Sequence, residues 1–236
     1  MKRAYKIRRT IVAIIAFIGF VLTISLHPDM HQAVAPPEAD NSQNVAVVSG
    51  DAATALDKLS VKGRAPKTNY SRDQFGSGWA SQQGCDMRNI ILNRDLMNTQ
   101  LDEKCRVVSG TLNDPYTGKV IQFVRGEISS QDVQIDHVIA LSNAWQTGAQ
   151  ALSPERREQL ANDPLELLAV DGEANQQKSD GDAATWLPPN KAFRCQYVAR
   201  QIAVKLKYAL WVTVAEKEAM ERVLATCPGQ SLPSSA

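Results

Sequence analysis

The chain has 236 residues, 44% of them apolar and 22% charged, a balance that excludes a wholly disordered, collagen-like or multi-spanning membrane protein. The formal net charge of +1 hides an asymmetry: residues 1–35 carry five Lys/Arg and one acid, so the remainder holds 21 basic and 24 acidic residues, net −3. A body of that charge does not attract polyanions by bulk electrostatics, and any site for one must be local.

Met1–Arg9 is basic, and Ile11–Leu26 is a 16-residue run without a formal charge, mostly aliphatic. That is the pattern of an export signal. As a helix the run reaches about 24 Å, just short of the ~30 Å hydrocarbon core. Residues 1–35 therefore read either as a signal peptide cleaved near Ala33-Val34-Ala35 or as an uncleaved anchor through residues 11–26. Pro36 makes a poor cleavage context and tips the balance slightly to the anchor. Both readings place the body outside the cytoplasm, secreted or held at the cell envelope. Residues 36–60, rich in Ala, Pro, Asp, Ser, Asn and Val without a strong period, read as a flexible linker. The folded domain is expected over 61–230. Its first stretch, Val61 to Gly84, combines Lys62, Arg64, Lys67 and Arg72 with Tyr70, Phe75 and Trp79.

Met87 to Asn98 reads as a helix. Val107–Leu112 and Lys119–Arg125 are β-rich runs around the turn-dense Asn113-Asp114-Pro115-Tyr116-Thr117-Gly118, which predicts a β-hairpin. Val133–Ile135 is a short strand ending in Asp136-His137. Ser153-Pro154-Glu155 opens a helix to about Ala161, with a capping serine, a proline in the first turn and an early acid. Glu166–Val170 is a short apolar strand, and after Asp171-Gly172 a helix begins that reaches about Lys178. Asn190–Leu210 reads as a helix with Cys195, Val198, Ile202, Leu206 and Ala209 on one face. Thr213-Val214-Ala215-Glu216 is a capping box opening a second helix to about Thr226. Short strands among helices make the class α+β.

Four cysteines in an exported chain suggest two disulfides, and none sits at the C-x-x-C spacing of a zinc knuckle. Only Trp211 and Val212 separate the last two helices, so they should form an antiparallel hairpin. Cys195 and Cys227 lie 15 and 14 residues from the turn. At ~1.5 Å per residue they finish side by side, as a disulfide requires. Cys85 and Cys105 pair by elimination.

The histidine supply is the sharpest clue. Of His27, His31 and His137, only His137 belongs to the body. Asp136 cannot share its face of a regular strand, although at a strand end adjacent side chains can flank one site. Alone, the Asp-His pair favours a structural histidine, since so short a match is frequent by chance, and a triad using Ser142 has no G-x-S-x-G elbow behind it. Walker, Rossmann, H-E-x-x-H and EF-hand patterns are absent from the sequence.

A wider ordered set carries more. It runs Gly110-Thr111-Leu112-Asn113-Asp114-Pro115-Tyr116-Thr117-Gly118, Ile135-Asp136-His137-Val138, Asn143-Ala144-Trp145, Asn162-Asp163-Pro164 and Ala169-Val170-Asp171-Gly172. It continues through Asn175, Lys178 and Asp180 to Trp186-Leu187-Pro188-Pro189-Asn190 and Arg194-Cys195-Gln196-Tyr197. From roughly Gly84 to Cys227 this resembles exported bacterial HNH proteins, similar to the C-terminal nuclease domain of GmrSD-type restriction enzymes. The resemblance implies a ββα-metal core between the hairpin and the C-terminal helical hairpin. It implies His137 as general base and Asp136 and Asn175 as ligands of Mg²⁺ or Mn²⁺, hard cations that suit oxygen donors. The middle Asn of the motif falls at Glu166, a departure. Lys178, one turn after Asn175, and Arg125, closing the hairpin, are candidate phosphate contacts, with Arg194 a weaker third; Trp145 and Trp186 are read as packing residues. The implied activity is metal-dependent hydrolysis of nucleic acid, DNA before RNA. The alternative is a catalytically inactive cell-envelope binding or scaffold module on the same fold. No protein partner is inferable.

Overall fold

The computed structural model describes residues 50–126 and 129–233. The predicted leader and most of the predicted linker, 36–49, lie outside the described residues. Within them, no helix is long and apolar enough to cross a membrane.

The linker reading fails over its last residues. Asp51 caps a one-turn helix α1 (Ala52–Leu56) by accepting from the Thr54 N–H. Ala52, Ala55, Leu56 and Leu59 are buried in the main core. Four apolar side chains at helical spacing suffice to dock a short segment, and the Ala-rich composition conceals them.

Two short strands, β1 (Ser81–Gln82) and β2 (Cys85–Asp86), lead into α2 (Met87–Asp95). Asp86 caps α2 through the Asn89 N–H. The helix ends three residues earlier than predicted because Leu96 turns extended and opens β3 (Met97–Leu101), a strand not predicted from sequence. β3 pairs with β4 (Val107–Asn113), and β4 with β5 (Val120–Val124), both antiparallel. The predicted hairpin is present, extended to a three-stranded sheet. In its turn Asp114 accepts from the Thr117 N–H and hydroxyl, and from the Asp171 N–H at 2.8 Å, so the turn is tied to a strand far along the chain.

β6 (Val133–His137) pairs antiparallel with β7 (Leu167–Asp171), with Ile135 opposite Ala169 and His137 opposite Leu167. Between them run α3 (Leu141–Gln146), also not predicted, and α4 (Pro154–Ala161), capped by Ser153 as expected. Asp171 caps α5 (Gly172–Lys178), accepting from the Ala174 N–H. Gly172 is obligatory here, since a Cβ would stand 2.0 Å from the Gln131 carbonyl oxygen. A 3₁₀ turn, Lys191–Phe193, precedes α6 (Arg194–Lys207), and α7 (Val214–Leu224) opens with the predicted capping box.

Side-chain alternation along β6–β7 divides the core in two. Val133, Ile135, Leu167 and Ala169 face a smaller core with Met87, Ile91 and Leu92 of α2 and Phe123 of β5. Leu168 and Val170 face the larger core, with α1, α3, α6 and α7. The chain is thus a mixed α+β fold with a helical C-terminal region and two disulfides.

The bridges are Cys85–Cys105 and Cys195–Cys227, with Cα–Cα separations of 5.5 and 6.4 Å. Both pairings are as predicted. Reducing either should lower stability by roughly 2–5 kcal/mol. The measurement is urea denaturation with and without reductant, and an unchanged midpoint would contradict it.

Candidate active site

The division of the β6–β7 ribbon decides what the Asp136-His137 pair can do. His137 follows the parity of Val133 and Ile135, whereas Asp136 follows Gln134 and points to the other side. The two do not share a face.

His137 is buried, and its ring lies 5.8 Å from that of Trp79 with an interplanar angle of 4°. Nε2 is 2.9 Å from the Ala161 carbonyl oxygen. A carbonyl can only accept, so Nε2 carries the proton and Nδ1 is left as the acceptor. The ring borders a cavity of about 160 Å³ that is also lined by Arg72, Asp73, Ser77, Gly78 and Leu141. Burial, and then the Arg72 charge, push the His137 pKa down to about 3. The imidazole is therefore neutral at physiological pH, with a bare nitrogen and an arginine nearby.

The cavity wall is built from two separate stretches of chain, residues 72–79 and residues 137–161. A 3₁₀ turn, Arg72–Phe75, carries Arg72. It is held by Arg157 of α4, whose guanidinium donates to the Gln74 carbonyl and side chain. Asn162, just past α4, accepts from the Ala80 N–H at 2.8 Å and so fixes the strand of chain beside Trp79. Arg72 and Trp79 were missed as site residues in the sequence. The density of bases and aromatics over 61–84 was the available signal, but nothing local says that this segment folds against His137.

Glu166 is fully buried. Its carboxyl oxygens both lie 3.2 Å from the Ile139 N–H, and its carbonyl accepts from the Val138 N–H. It therefore braces the chain directly after His137 through its acceptor atoms. Burial drives its pKa well up.

Asp136 stands in a different cluster. The buried Lys178 ammonium donates to Asp136 Oδ1 at 2.9 Å and to the His137 carbonyl at 2.8 Å. Tyr116 Oη, held protonated by burial and by the carboxylate beside it, donates to Oδ2. Asn175 gives its side-chain N–H to Gln134 Oε1 at 2.9 Å. The expected metal pair is thus not assembled: a cation already sits on Asp136, and Asn175 is turned to Gln134. In this arrangement the two residues do not fit a divalent ion. Among the described residues no group of three or more His, Cys, Asp or Glu is placed to hold one.

Two further expectations are corrected. Lys178 cannot contact a phosphate, because its side chain is 0% exposed in the ion pair. Arg125 is committed to the protein, donating to the Val107 carbonyl and to Asn89 Oδ1, which also accepts from the Val107 N–H, so it ties the sheet to the first turn of α2. Ser142 donates to Asp180, not to His137. Trp145 packs against Tyr70 and Phe75, and Trp186 against Tyr116 and Tyr197, as packing residues.

The low His137 pKa has a spectroscopic signature. The imidazole is neutral from about pH 5 upward, so the NMR titration of the His137 ring should show no inflection near 6.5, the ordinary histidine value. An inflection at about 6–7 would mean that the ring is not in this environment.

Residues 86–223 match the family of GmrSD restriction endonucleases, C-terminal domain. The chain is also 38% identical over 179 residues to an uncharacterized secreted protein of Arthroderma benhamiae, covering 75% of this chain and 84% of that protein. That relative is fungal, so the comparison does not support the bacterial part of the resemblance.

Proposed function

The chain belongs to the family of GmrSD restriction endonuclease C-terminal domains, and from that premise we propose that it is a secreted phosphodiesterase acting on nucleic acid, DNA in the first instance. The observation that carries this reading is the His137 ring, with Nε2 committed to Ala161 and Nδ1 left as an acceptor, bordering a cavity that also holds Arg72. A water in the cavity gives its proton to Nδ1 as its oxygen attacks phosphorus. The Arg72 guanidinium, exposed and without a partner among the described residues, stands against the charge that develops on the non-bridging oxygens. The P–O bond to the leaving oxygen breaks, and solvent supplies its proton. The Trp79 stack and the Ile139–Glu166 brace keep the ring in place.

A divalent ion could reach Asp136 only by displacing Lys178. Any stimulation by Mg²⁺ should therefore saturate at a lower concentration in a variant lacking Lys178 than in the native chain. The primary test is plasmid nicking and RNA cleavage by the purified secreted body, with EDTA and Mg²⁺ arms. Cleavage is expected in the native protein and lost with Arg72→Ala, while a native protein inert on both substrates with and without Mg²⁺ would overturn the reading. The engaged state of Asp136 favours one alternative, a non-catalytic binding module in the cell envelope, and that inert outcome is what it predicts.

A further inference from the structure

With Lys178 and Arg125 bound internally, the His137 cavity retains Arg72 as its cation, and Asp73 lines the same cavity. One guanidinium orients one phosphate, but does not hold a strand. Three other cations converge elsewhere. Lys191 on the 3₁₀ turn, Arg194 at the start of α6 and Arg222 in α7 border a groove of about 560 Å³ whose floor includes Leu187, Ala219 and Val223. No Asp or Glu lines it, and none of its residues lines the His137 cavity. Among the described residues the Lys191 and Arg222 side chains make no ion pair, while Arg194 gives Nε to the Pro188 carbonyl at 2.8 Å. The Cys195–Cys227 bridge ties the start of α6 to the end of α7, so the groove's two walls are covalently joined.

We propose that this groove is a second nucleic-acid contact, a sequence-independent seat for the sugar-phosphate backbone outside the cleavage cavity; the inference rests on the phosphodiesterase reading and names how that activity holds its substrate. Three separate cations match the repeating phosphates of one strand better than the single headgroup of a lipid. The apolar floor takes the sugar and base faces. No aromatic or amide side chain lines the groove to read base edges, so contact is to the backbone. It also meets the requirement set by a net charge of −3 outside the leader, because affinity then comes from a local cluster.

The test uses the His137→Ala chain, so that substrate is not consumed, and a fluorescein-labelled single-stranded oligonucleotide titrated across salt concentrations. Lys191→Ala/Arg194→Ala/Arg222→Ala should bind about tenfold or more weakly, with the slope of log K against log[salt] reduced by about 2, at ~0.7 per phosphate contact on single strands. Lys191→Ala/Arg222→Ala, which keeps the Arg194–Pro188 bond, should show about two thirds of that slope change. A control of equal charge, Lys58→Ala/Lys104→Ala/Lys119→Ala, should bind as the parent does. Equal losses in groove and control variants, or undiminished binding in the groove variants, overturn the proposal. So does loss of binding to phosphatidylserine vesicles with oligonucleotide binding intact. Cleavage by the native chain is scored separately: binding through the groove without cleavage refutes the His137 reading, and cleavage with undiminished binding in the groove variants refutes the groove alone.

Discussion

His137→Ala should lower the cleavage rate by about 10²–10⁴, the share that a positioned general base contributes, while the protein stays folded. The Nε2 bond to Ala161 is lost and one buried carbonyl is left unpaired, a cost of about 1–3 kcal/mol. That is tolerable against a typical domain stability of 5–15 kcal/mol. Kinetics on a fixed oligonucleotide, with the far-ultraviolet circular dichroism and thermal midpoint of the same preparation, separate chemistry from folding. A folded variant that cuts as fast as the native chain removes His137 from the reaction. The same side chain predicts an acid effect with a defined sign. Its folded pKa, about 3, lies below the unfolded value of 6.5. Its contribution to stability is therefore complete above about pH 6.5 and is lost as pH falls towards 3, on the order of 5 kcal/mol over the full interval. Glu166, whose pKa is raised, acts in the opposite direction and loses its contribution as pH rises.

Lys178→Met should destabilise the fold by about 3–5 kcal/mol, because it strands the buried Asp136 carboxylate with only the Tyr116 hydroxyl as partner. The reverse deletion, Asp136→Leu, should cost a similar amount by stranding the ammonium. Removing both charges together should restore most of the loss, since an apolar pair of similar volume often equals a buried ion pair. Urea denaturation of the two single variants and the double variant closes the cycle. A Lys178→Met cost below about 1 kcal/mol would mean that the ion pair is not formed in the folded chain. Because the ammonium and a metal would compete for Asp136 Oδ1, the same variant should bind Mn²⁺ more tightly than the native chain by calorimetry. Equal affinities would place any metal elsewhere.

Much of the frame is set by near neighbours along the chain. Ser153 with Pro154, and Thr213 with Glu216, start α4 and α7 because a hydroxyl and the amides it caps lie within one turn. The Cys195–Cys227 bridge could be anticipated from two helices doubling back on each other, although they prove unequal, 14 and 11 residues, and Cys227 lies just past the end of the second. Asp136 and His137 could be named from sequence, and the period of two already implied opposite faces. Which neighbour each face would meet depended on packing. The Arg72–Trp79 segment reaches His137 from about sixty residues away, through bonds from Arg157 and Asn162 that no local pattern announces. Lys178 and Asn175 share a face of α5, but the longer side chain reaches Asp136 and the shorter stops at Gln134. Lys178 and Arg125 looked like phosphate contacts because the first shares a helix face with Asn175 and the second closes the hairpin. The assembled core buried one and turned the other inward, since its carboxylate and carbonyls needed donors that water could no longer supply.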